Sequence, residues 1–296
     1  MNSSKGQAAQ DPERRVIRIG GAEAADFLQS ILTSDMEALS PGETRASALL
    51  TPQGRILADM MVLRMDDNFM LDCDASRADD LFARLRRYKL RRPVTLEILD
   101  GHRLWVGWNG DAMPRGASTD PRHPALGWRW IGPAGSGPET PSGSGPADID
   151  HWHAARIAAG VPQGPVDLQP ERALMLEAGL DRLGAVDFEK GCYVGQEVTA
   201  RTHYRGLVKR RIVPLEVSGG CPASGEVVSK GERDLGTVLS VAGGGERALC
   251  LAAMKLSDIH RINNGDHELT AGGHAARLAI PDWMLPVPDP SKTDTG

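Results

Sequence analysis

The sequence predicts an α+β fold that ends in a small β-barrel or sandwich. In the first third of the chain, strand-like runs with alternating apolar residues are interleaved with segments whose apolar spacing suits amphipathic helices. From about Val208 onward, short β-rich runs are separated by glycines at regular intervals, which is typical of a small barrel. The expected barrel strands are KRRIVPLEV, GEVVSKG, LGTVLSVAG, RALCLAAM and HAARLAI.

The elements of the first half follow from local patterns. Residues 1–13 are expected to be a disordered lead. The run from Arg15 to Ile19 alternates like a half-buried strand, and Ala22 to Leu32 has the spacing of a short helix. Apolar runs on both sides of Pro52-Gln53-Gly54 predict a hairpin, because Pro and Gly supply the turn. The further expected elements are a strand at FMLDCDA, a helix at Arg77–Lys89, strands at 94–98 and 103–108, and a helix at Ile149–Ala159.

Two segments are expected to carry little regular structure. Residues 132–147 consist almost wholly of Gly, Pro, Ser and other small residues, so they cannot bury enough apolar area to offset their ordering entropy. They are expected to be a mobile loop within the middle domain, close to its exit. The tail after Trp283 is rich in proline and is expected to be disordered at its end.

The overall charge argues against a nucleic-acid-binding protein. The formal net charge is −5 and the pI is about 5.9, whereas a protein that neutralises many phosphates is basic. A local basic run from Arg84 to Arg92 is interpreted as the solvated face of a helix, with an anion or nucleic-acid patch as the alternative. Direct contact with nucleic acid is therefore not expected.

The location expected from the sequence is cytoplasmic. No stretch of about 18 uncharged apolar residues occurs, so neither a transmembrane helix nor a membrane partner is expected. The first fifteen residues lack the apolar core of a secretion signal, and Asp11 and Glu13 argue against a transit peptide. The four cysteines are too few and too scattered for a disulfide framework, so reduced thiols are expected.

The segment from Arg172 to Arg211 contains the residues with the clearest chemical potential. Glu177 lies in an apolar context, LMLEAGL, where a carboxylate is costly unless it is paired or hydrogen-bonded. Such an acid can bind a ring with an amino-imino edge, because two parallel N–H donors match its two oxygens. On the residues alone, a partly exposed surface glutamate is the favoured interpretation.

Cys192 lies between glycines in KGCYVGQE, which implies a tight turn where the backbone approaches something closely. Lys190, Arg201 and Arg205 are near in sequence, and nearby cations favour the thiolate, the form that binds metals. Cys192 is therefore the candidate functional thiol. The remaining cysteines, at positions 73, 221 and 250, are expected to be inert and buried.

Spacing alone completes no metal site. The sequence has no CxxC or HExxH motif, and His151 and His153 are interpreted as packing or surface residues. His203 falls inside the informative segment and is a candidate second ligand or proton carrier. A Cys–His–Asp hydrolase built on Cys192 and His203 lacks an identifiable third member, so it stays a third choice.

The stretch EKGCYVGQEVTARTHYRG resembles the signature of the YgfZ family, the folate-binding relatives of the glycine-cleavage T-protein. It is particularly similar to the version found in mitochondrial iron–sulfur assembly factors. Nearly the whole chain takes part in the resemblance, apart from residues 132–147 and both termini. The other similar segments, in the same order, are VIRIGGAEAADFLQSILTSDM, LLTPQGRILADMMVLR, DCDASRADDLFARLRRYKLRRPV and RIAAGVPQG.

The resemblance implies a fold of three domains arranged in a ring, with a folate site facing the central hole. The first domain would be discontinuous, combining residues 14–48 with 148–205. The second would span 49–147, and the C-terminal β-barrel would span 206–285.

The resemblance also implies functional residues and ligands. Glu177 matches the acid that grips the pterin of a tetrahydrofolate in T-proteins, and Tyr193, Gln196 and Arg201 are expected as wall residues of that site. Cys192 matches the family's functional cysteine, which would bind iron in a transient cluster shared with an A-type carrier protein. Soft thiolate ligation of iron suits that role, and a single thiol suits a transferable cluster.

Two other functions remain open at this stage. One is a folate-dependent aminomethyltransferase like the T-protein, although Asp72, Asp74, Asp79 and Asp80 lack a clear T-protein context and KGCYVGQE departs from its usual segment. The other is a role in tRNA modification, for which the acidic net charge favours an indirect link. An assembly factor with little or no turnover of its own is the preferred function.

Overall fold

The computed structural model describes residues 6–110, 112–139, 145–265 and 268–288. Within these ranges the buried apolar side chains form three clusters. One lies between the N-terminal sheet and its helices, one at the centre of the molecule, and one inside the C-terminal barrel. The predicted α+β class and the predicted C-terminal barrel are both confirmed.

The N-terminal sheet is antiparallel and has the spatial order β3–β4–β5–β2–β6. The edge strand β3 (Thr44–Leu50) is apolar on both faces: Leu49 packs in the cluster with the helices, whereas Ala48 and Leu50 pack in the central cluster. The predicted strands, helices and Pro52–Gly54 hairpin of this region are confirmed. The elements are β2 Arg14–Gly20, α1 Ala24–Ile31, β3 Thr44–Leu50, β4 Ile56–Arg64, β5 Asn68–Asp74, α2 Ala78–Lys89 and β6 Thr95–Ile98.

A second sheet has the order β10–β1–β7–β9–β8. Strand β1 (Gln7–Asp11) falls inside the N-terminal segment that was expected to be disordered, so that prediction is wrong for residues 7–11. Ala8 and Ala9 are buried there, and the whole strand pairs with the strand at His102–Trp108. The strands are β1 Gln7–Asp11, β7 His102–Trp108, β8 Ser118–Thr119, β9 Trp128–Pro133 and β10 Gly145–Pro146.

The prediction that residues 132–147 form a loop is wrong at both ends of this range. Strand β9 extends to Pro133, and β10 pairs in parallel with β1 through Gly145 and Pro146. The pairing gives the backbone of these small residues hydrogen-bond partners that composition does not reveal. Residues 140–144 lie outside the described residues.

The C-terminal part is a closed antiparallel barrel, order β11–β14–β13–β12–β15–β16, in which β16 pairs back onto β11. The sequence pattern missed helix α5 and the short strand β15. None of the helices in the described chain is long and apolar enough to cross a bilayer. The elements are β11 Arg210–Ser218, β12 Val227–Lys230, β13 Arg233–Gly244, β14 Arg247–Lys255, α5 Leu256–Asn263, β15 Leu269–Ala271 and β16 His274–Leu278.

The sheets do not follow the predicted domain boundary between residues 48 and 49. That boundary falls inside β3, which pairs continuously with β4 from Thr44 opposite Leu63 to Leu50 opposite Ile56. Strand β2 also pairs with both β5 and β6. The strands between residues 14 and 98 therefore belong to one sheet, because the β3–β4 hairpin pairs residues on both sides of the predicted boundary.

Two helices, α3 (Ile149–Ala158) and α4 (Gln196–Tyr204), flank a long irregular segment at the centre of the molecule. The last described residues return to this segment. The indole Nε1 of Trp283 donates to the carbonyl of Ala159 at 2.8 Å. Gly160 and Gly179 face the side chains of Met284 and Trp283 so closely that a Cβ there would lie 2.5 and 3.1 Å from them.

A buried network of ion pairs joins the two sheets. Asp72 of β5 accepts from Arg14 of β2 at 2.6 Å and from Arg129 of β9. Arg129 also pairs with Asp120, which takes a second guanidinium from Arg122 at 2.7 Å. Burial alone would raise the pKa of Asp120, but Arg122 and Arg129 outweigh burial and lower it to about 2.

A second buried pair joins the centre to the barrel. The guanidinium of Arg156 in α3 donates to Asp167 at 2.8 Å and to the hydroxyl of Ser240 in β13 at 2.8 Å. Asp167 also accepts from the backbone N–H groups of Gln163 and Ser240, both at 2.9 Å. The barrel is therefore held to the centre by charge-assisted hydrogen bonds that are shielded from water.

Asp72→Ala should lower the free energy of unfolding by about 3–5 kcal/mol, because it leaves two buried guanidinium groups without their carboxylate. Glu97→Ala is the matched control: it breaks the pair with Arg18, in which both side chains are about half exposed, and should cost at most about 1 kcal/mol. Urea unfolding of both variants measures the difference. Equal losses would show that the buried network does not stabilise the junction.

Candidate functional site

The chain from Asp187 to Gly195 forms a turn that we call the Cys192 loop. Cys192 is exposed within it. The carboxylate of Asp187 accepts hydrogen bonds from the backbone N–H groups of Glu189 and Lys190, at 2.8 and 3.0 Å. This local side-chain-to-backbone turn starts the loop and is a frequent role for aspartate.

Lys190 points inward, away from solvent. Its ammonium donates to the backbone carbonyl oxygens of Gln29, Leu32 and Ser34, at 2.8, 2.7 and 2.9 Å. It also lies 5.3 Å from the centre of the Tyr193 ring. These contacts fix the side chain at the carboxyl end of helix α1.

Burial lowers the pKa of Lys190 to about 8, even though carboxylates oppose that effect. The charged groups that surround its ammonium are Asp35, Asp187, Glu37 and Arg45.

The expectation that Lys190 and Arg201 act on the thiol is not met by their contacts. Lys190 is bound by backbone carbonyls, and Arg201 pairs with Glu197 one helical turn away on α4. Sequence proximity suggested a common electrostatic neighbourhood. The inward turn of Lys190 and the helical i, i+4 pairing of Arg201 instead give both cations other partners.

Gly195 closes the loop against the β3–β4 hairpin turn. Its φ is +83°, and a Cβ at this position would lie 2.5 Å from the carbonyl oxygen of Thr51 and 3.1 Å from the Cα of Gly54. A Cβ at Gly54 would in turn lie 3.2 Å from Val198 and 3.3 Å from Thr199 of α4. The close backbone approach predicted from the glycine frame is confirmed at Gly195, whereas Gly191 has open space around it.

Glu177 lies at a different place, in a cavity of about 460 Å³ between the central segment and the barrel. The side chain is half-buried. Burial raises the pKa of Glu177, and the cations of Arg210, Arg55 and Arg211 oppose that effect without cancelling it. The other lining residues are Asp167, Gln169, Arg172, Ala173, Leu174, Ala178, Ile212, Thr237, Leu239 and Ala253.

The predicted wall residues Tyr193, Gln196 and Arg201 are not among the residues that line this cavity, and their role in a folate site stays a prediction. Tyr193 is buried in the central cluster, where burial raises the pKa of its phenol to about 12. Gln196 and Arg201 lie on helix α4, and Arg201 is exposed. Closeness in sequence to Cys192 did not place these residues in the lining of the Glu177 cavity.

The β3–β4 hairpin turn lies between the Cys192 loop and the Glu177 cavity. On one side it contacts Gly195 and α4. On the other, the guanidinium of Arg55 donates to the carbonyl of Arg172 at 2.6 Å, and the N–H of Ile56 donates to Ala173 at 2.9 Å. One hairpin thus positions both candidate sites.

A further cavity of about 460 Å³ shares Arg211 with the Glu177 cavity. Its wall includes Phe188 of the Cys192 loop, whose ring stacks on the imidazole of His203 with centres 3.9 Å apart. His203 is therefore engaged with an aromatic ring. Its proposed role as a second ligand or proton carrier remains a prediction.

The other candidate groups have structural settings. Cys73 and Cys250 are buried as expected, and burial raises the pKa of both thiols to about 12. Cys221 is exposed, so the expectation that it is buried is wrong; it follows a pair of glycines at the rim of the barrel, where the interior no longer covers it. Across residues 6–110, 112–139, 145–265 and 268–288, no group of three or more His, Cys, Asp or Glu side chains is arranged to hold a metal ion.

Comparison with known proteins agrees with this architecture. Residues 13–110 match the family described as GCVT N-terminal domain, and residues 209–286 match the CAF17 C-terminal beta-barrel domain. The fold is also similar to the crystal structure of glycine cleavage system aminomethyltransferase T from Bartonella henselae. The TM-score is 0.75 at 17% identity, over 95% of this chain and 87% of that one, and at this identity the likeness shows the fold alone.

Similarity to curated relatives is closer and extends over most of the chain. The iron-sulfur cluster assembly factor IBA57, mitochondrial, of Mus musculus is 32% identical across 91% of this chain and 83% of its own length. The protein of the same name from Homo sapiens is 33% identical across 93% of this chain and 84% of its own. The chain belongs to the IBA57 family.

Membership of the IBA57 family corrects the expected location. The relatives are named as mitochondrial proteins, which points to a mitochondrial rather than a cytoplasmic location and overturns the cytoplasmic expectation. That expectation rested on the lack of an apolar secretion signal and on Asp11 and Glu13, which argued against a transit peptide.

Gly195→Ala should destabilise the protein by at least about 1–2 kcal/mol, because it combines a left-handed φ with a Cβ placed 2.5 Å from a carbonyl oxygen. Gly191→Ala is the matched control in the same loop, with open space around it, and should cost less than about 0.5 kcal/mol. Thermal unfolding of the two variants tests this contrast. Similar losses in both would contradict a specific contact between the loop and the hairpin turn.

Proposed function

We propose that this chain is an iron–sulfur cluster assembly factor that acts through Cys192. The observation that carries the proposal is the exposed thiol of Cys192 on a loop held in place at both ends, in a chain of the IBA57 family. The relatives at 32–33% identity carry iron–sulfur cluster assembly in their names. The cluster is cargo that the protein helps to pass on, rather than a permanent group.

The thiol supplies one soft ligand to the cluster. On binding iron, Cys192 loses its proton and replaces one existing ligand, and the carrier protein supplies the remaining cysteines. We infer that the carrier is of the A type. A single exposed protein ligand makes a shared cluster easier to release than one enclosed by a full set of ligands from one chain.

We also propose that the Glu177 cavity binds a tetrahydrofolate. The residues fit this ligand: a half-buried carboxylate can accept both N–H groups of a pterin amino-imino edge, and burial raises the pKa of Glu177. Arg172, Arg210 and Arg211 on the same wall would attract the carboxylates of the folate tail. The bound folate would supply one-carbon chemistry, and this chain's residues would orient it.

The aminomethyltransferase function is less well supported. Asp72, one of the candidate acids, is fully engaged in the buried network with Arg14 and Arg129. Asp79 and Asp80 lie on the first turn of α2, where they pair with arginines at the surface. Asp74 lines a different cavity, of about 410 Å³, next to His153 and Glu13.

Cys192→Ser should lower the yield of a cluster bridged to an A-type carrier at least about tenfold, because it removes the soft thiolate ligand. Cys221→Ser, which removes the other exposed thiol, should leave the complex unchanged. Anaerobic reconstitution with the carrier, followed by absorption and Mössbauer spectra of the isolated complex, measures both. Equal bridging by the Cys192→Ser protein would refute the proposed role.

Glu177→Gln should weaken tetrahydrofolate binding at least about tenfold, because it removes a charge-assisted pair. The same change should stabilise the folded protein relative to the wild type as the pH rises above the ordinary pKa of glutamate. A glutamate whose folded pKa is raised loses stability as it ionises, whereas glutamine does not.

Isothermal titration and pH-dependent unfolding measure these two effects. Glu171→Gln, outside the cavity lining and exposed, is the control and should change neither. Unaltered folate binding in Glu177→Gln would show that the pterin binds elsewhere.

A further inference from the structure

The carbonyl oxygens that bind Lys190 belong to the end of helix α1 and the residues after it. Gln29 is in the last turn of the helix, where carbonyl groups have no helical N–H partner, and Leu32 and Ser34 follow the helix. An ammonium group has N–H donors to satisfy several acceptors at once and complements the negative end of the helix dipole. Lys190 thus completes the hydrogen bonding of this helix end.

The same helix end contacts the start of the Cys192 loop by other bonds. The N–H of Asp187 donates to the carbonyl of Thr33 at 2.9 Å, and the hydroxyl of Thr33 donates to the carbonyl of Ala185 at 2.6 Å. The chain just before Cys192 is therefore anchored to residues 32–34, both through the backbone of Thr33 and through its hydroxyl. The contact of Gly195 with the hairpin turn fixes its other end.

The side chains on either side of Cys192 point inward while the thiol points outward. Lys190 is 7% exposed and Tyr193 is 7% exposed, whereas Cys192 is exposed. The ammonium of Lys190 lies over the Tyr193 ring, so both neighbours pack on each other beneath the loop. With its neighbours buried in this way, the loop leaves the thiol of Cys192 accessible to a partner.

We propose that Lys190 is a positioning residue: its ammonium, held by the carbonyls of Gln29, Leu32 and Ser34, fixes the Cys192 loop in the conformation that presents the thiol to an iron–sulfur carrier. The part of this proposal that concerns cluster transfer rests on the proposed function. The anchoring of the loop by Lys190 does not depend on that function. It replaces the expectation that this lysine activates the thiol electrostatically. The prediction concerns the geometry of the loop and not the ionisation of any group in it.

Chemical rescue tests this proposal directly. Lys190→Ala leaves the carbonyl oxygens without their cation, and n-propylammonium has the length and the N–H donors to replace the missing side chain. n-Propanol is similar in size but carries no charge, and it serves as the matched control. Lys190→Met keeps the aliphatic stem and provides a second variant in which packing is retained.

We expect the amide protons of Glu189 and Lys190, or of the residue that replaces Lys190, to exchange at least about tenfold faster in both variants. Both amides donate to Asp187 within the Cys192 loop, so a loop that loses its conformation should leave them unprotected. In Lys190→Ala, n-propylammonium should restore slow exchange and n-propanol should not. The buried thiols of Cys73 and Cys250 should stay protected from alkylation throughout, which excludes general unfolding.

The bridged cluster gives the functional readout. Its yield with the carrier should fall at least about tenfold in Lys190→Ala and recover with n-propylammonium. Unchanged amide exchange in both variants, or equal rescue by n-propanol, would overturn the proposal. If the wild-type protein formed no bridged cluster while exchange behaved as expected, the proposed function would fail and the anchoring role of Lys190 would stand.

Discussion

The contact between Gly195 and the β3–β4 hairpin turn is the constraint on which the arrangement of the site depends. The turn is a tight one, and it has room for helix α4 only because Gly195 and Gly54 carry no side chain. Its opposite side hydrogen-bonds to residues 171–173, next to Glu177. A single hairpin therefore contacts both the Cys192 loop and the Glu177 cavity, and it fixes the distance between them.

Charge in this protein is used mainly to hold parts together. Arg14, Arg129 and Arg156 are buried with carboxylates at the junctions between sheets and barrel, and Lys190 is buried with carbonyl oxygens beneath the thiol loop. Burying any of these cations without its partner would cost free energy, so each cation favours the one arrangement in which its partner is in place. Arg211 combines two roles, because its guanidinium donates to the carbonyl of Leu176 and also lines the Glu177 cavity.

Local patterns in the sequence were sufficient for most elements of the first sheet and the barrel. The alternation in RVIRI and the Pro-Gln-Gly turn depend on neighbours in the chain, and both were predicted correctly. Strand β1 was missed because QAAQD has little apolar content; its partner β7 lies about ninety residues away. Pairing over such a distance leaves no local signal.

The same limit applies to the site. Cys192 could be singled out because its glycine frame is local, and the close approach of Gly195 followed from it. The direction of Lys190 could not be predicted, since its partners lie more than 150 residues earlier. Arg211, which lines the Glu177 cavity and its neighbour, was missed because a basic run at the start of a strand looks like a solvated edge.

The return of the C-terminal segment to the centre gives the far end of the chain an influence on its middle. Trp283 and Met284 cover Gly160 and Gly179, and Gly179 is two residues from Glu177. A frameshift or proteolytic cut shortly after the barrel would remove this cover while sparing every residue of the Cys192 motif. Truncations at this point would therefore have effects similar to those of substitutions near the Glu177 cavity, although they lie about a hundred residues further along the chain.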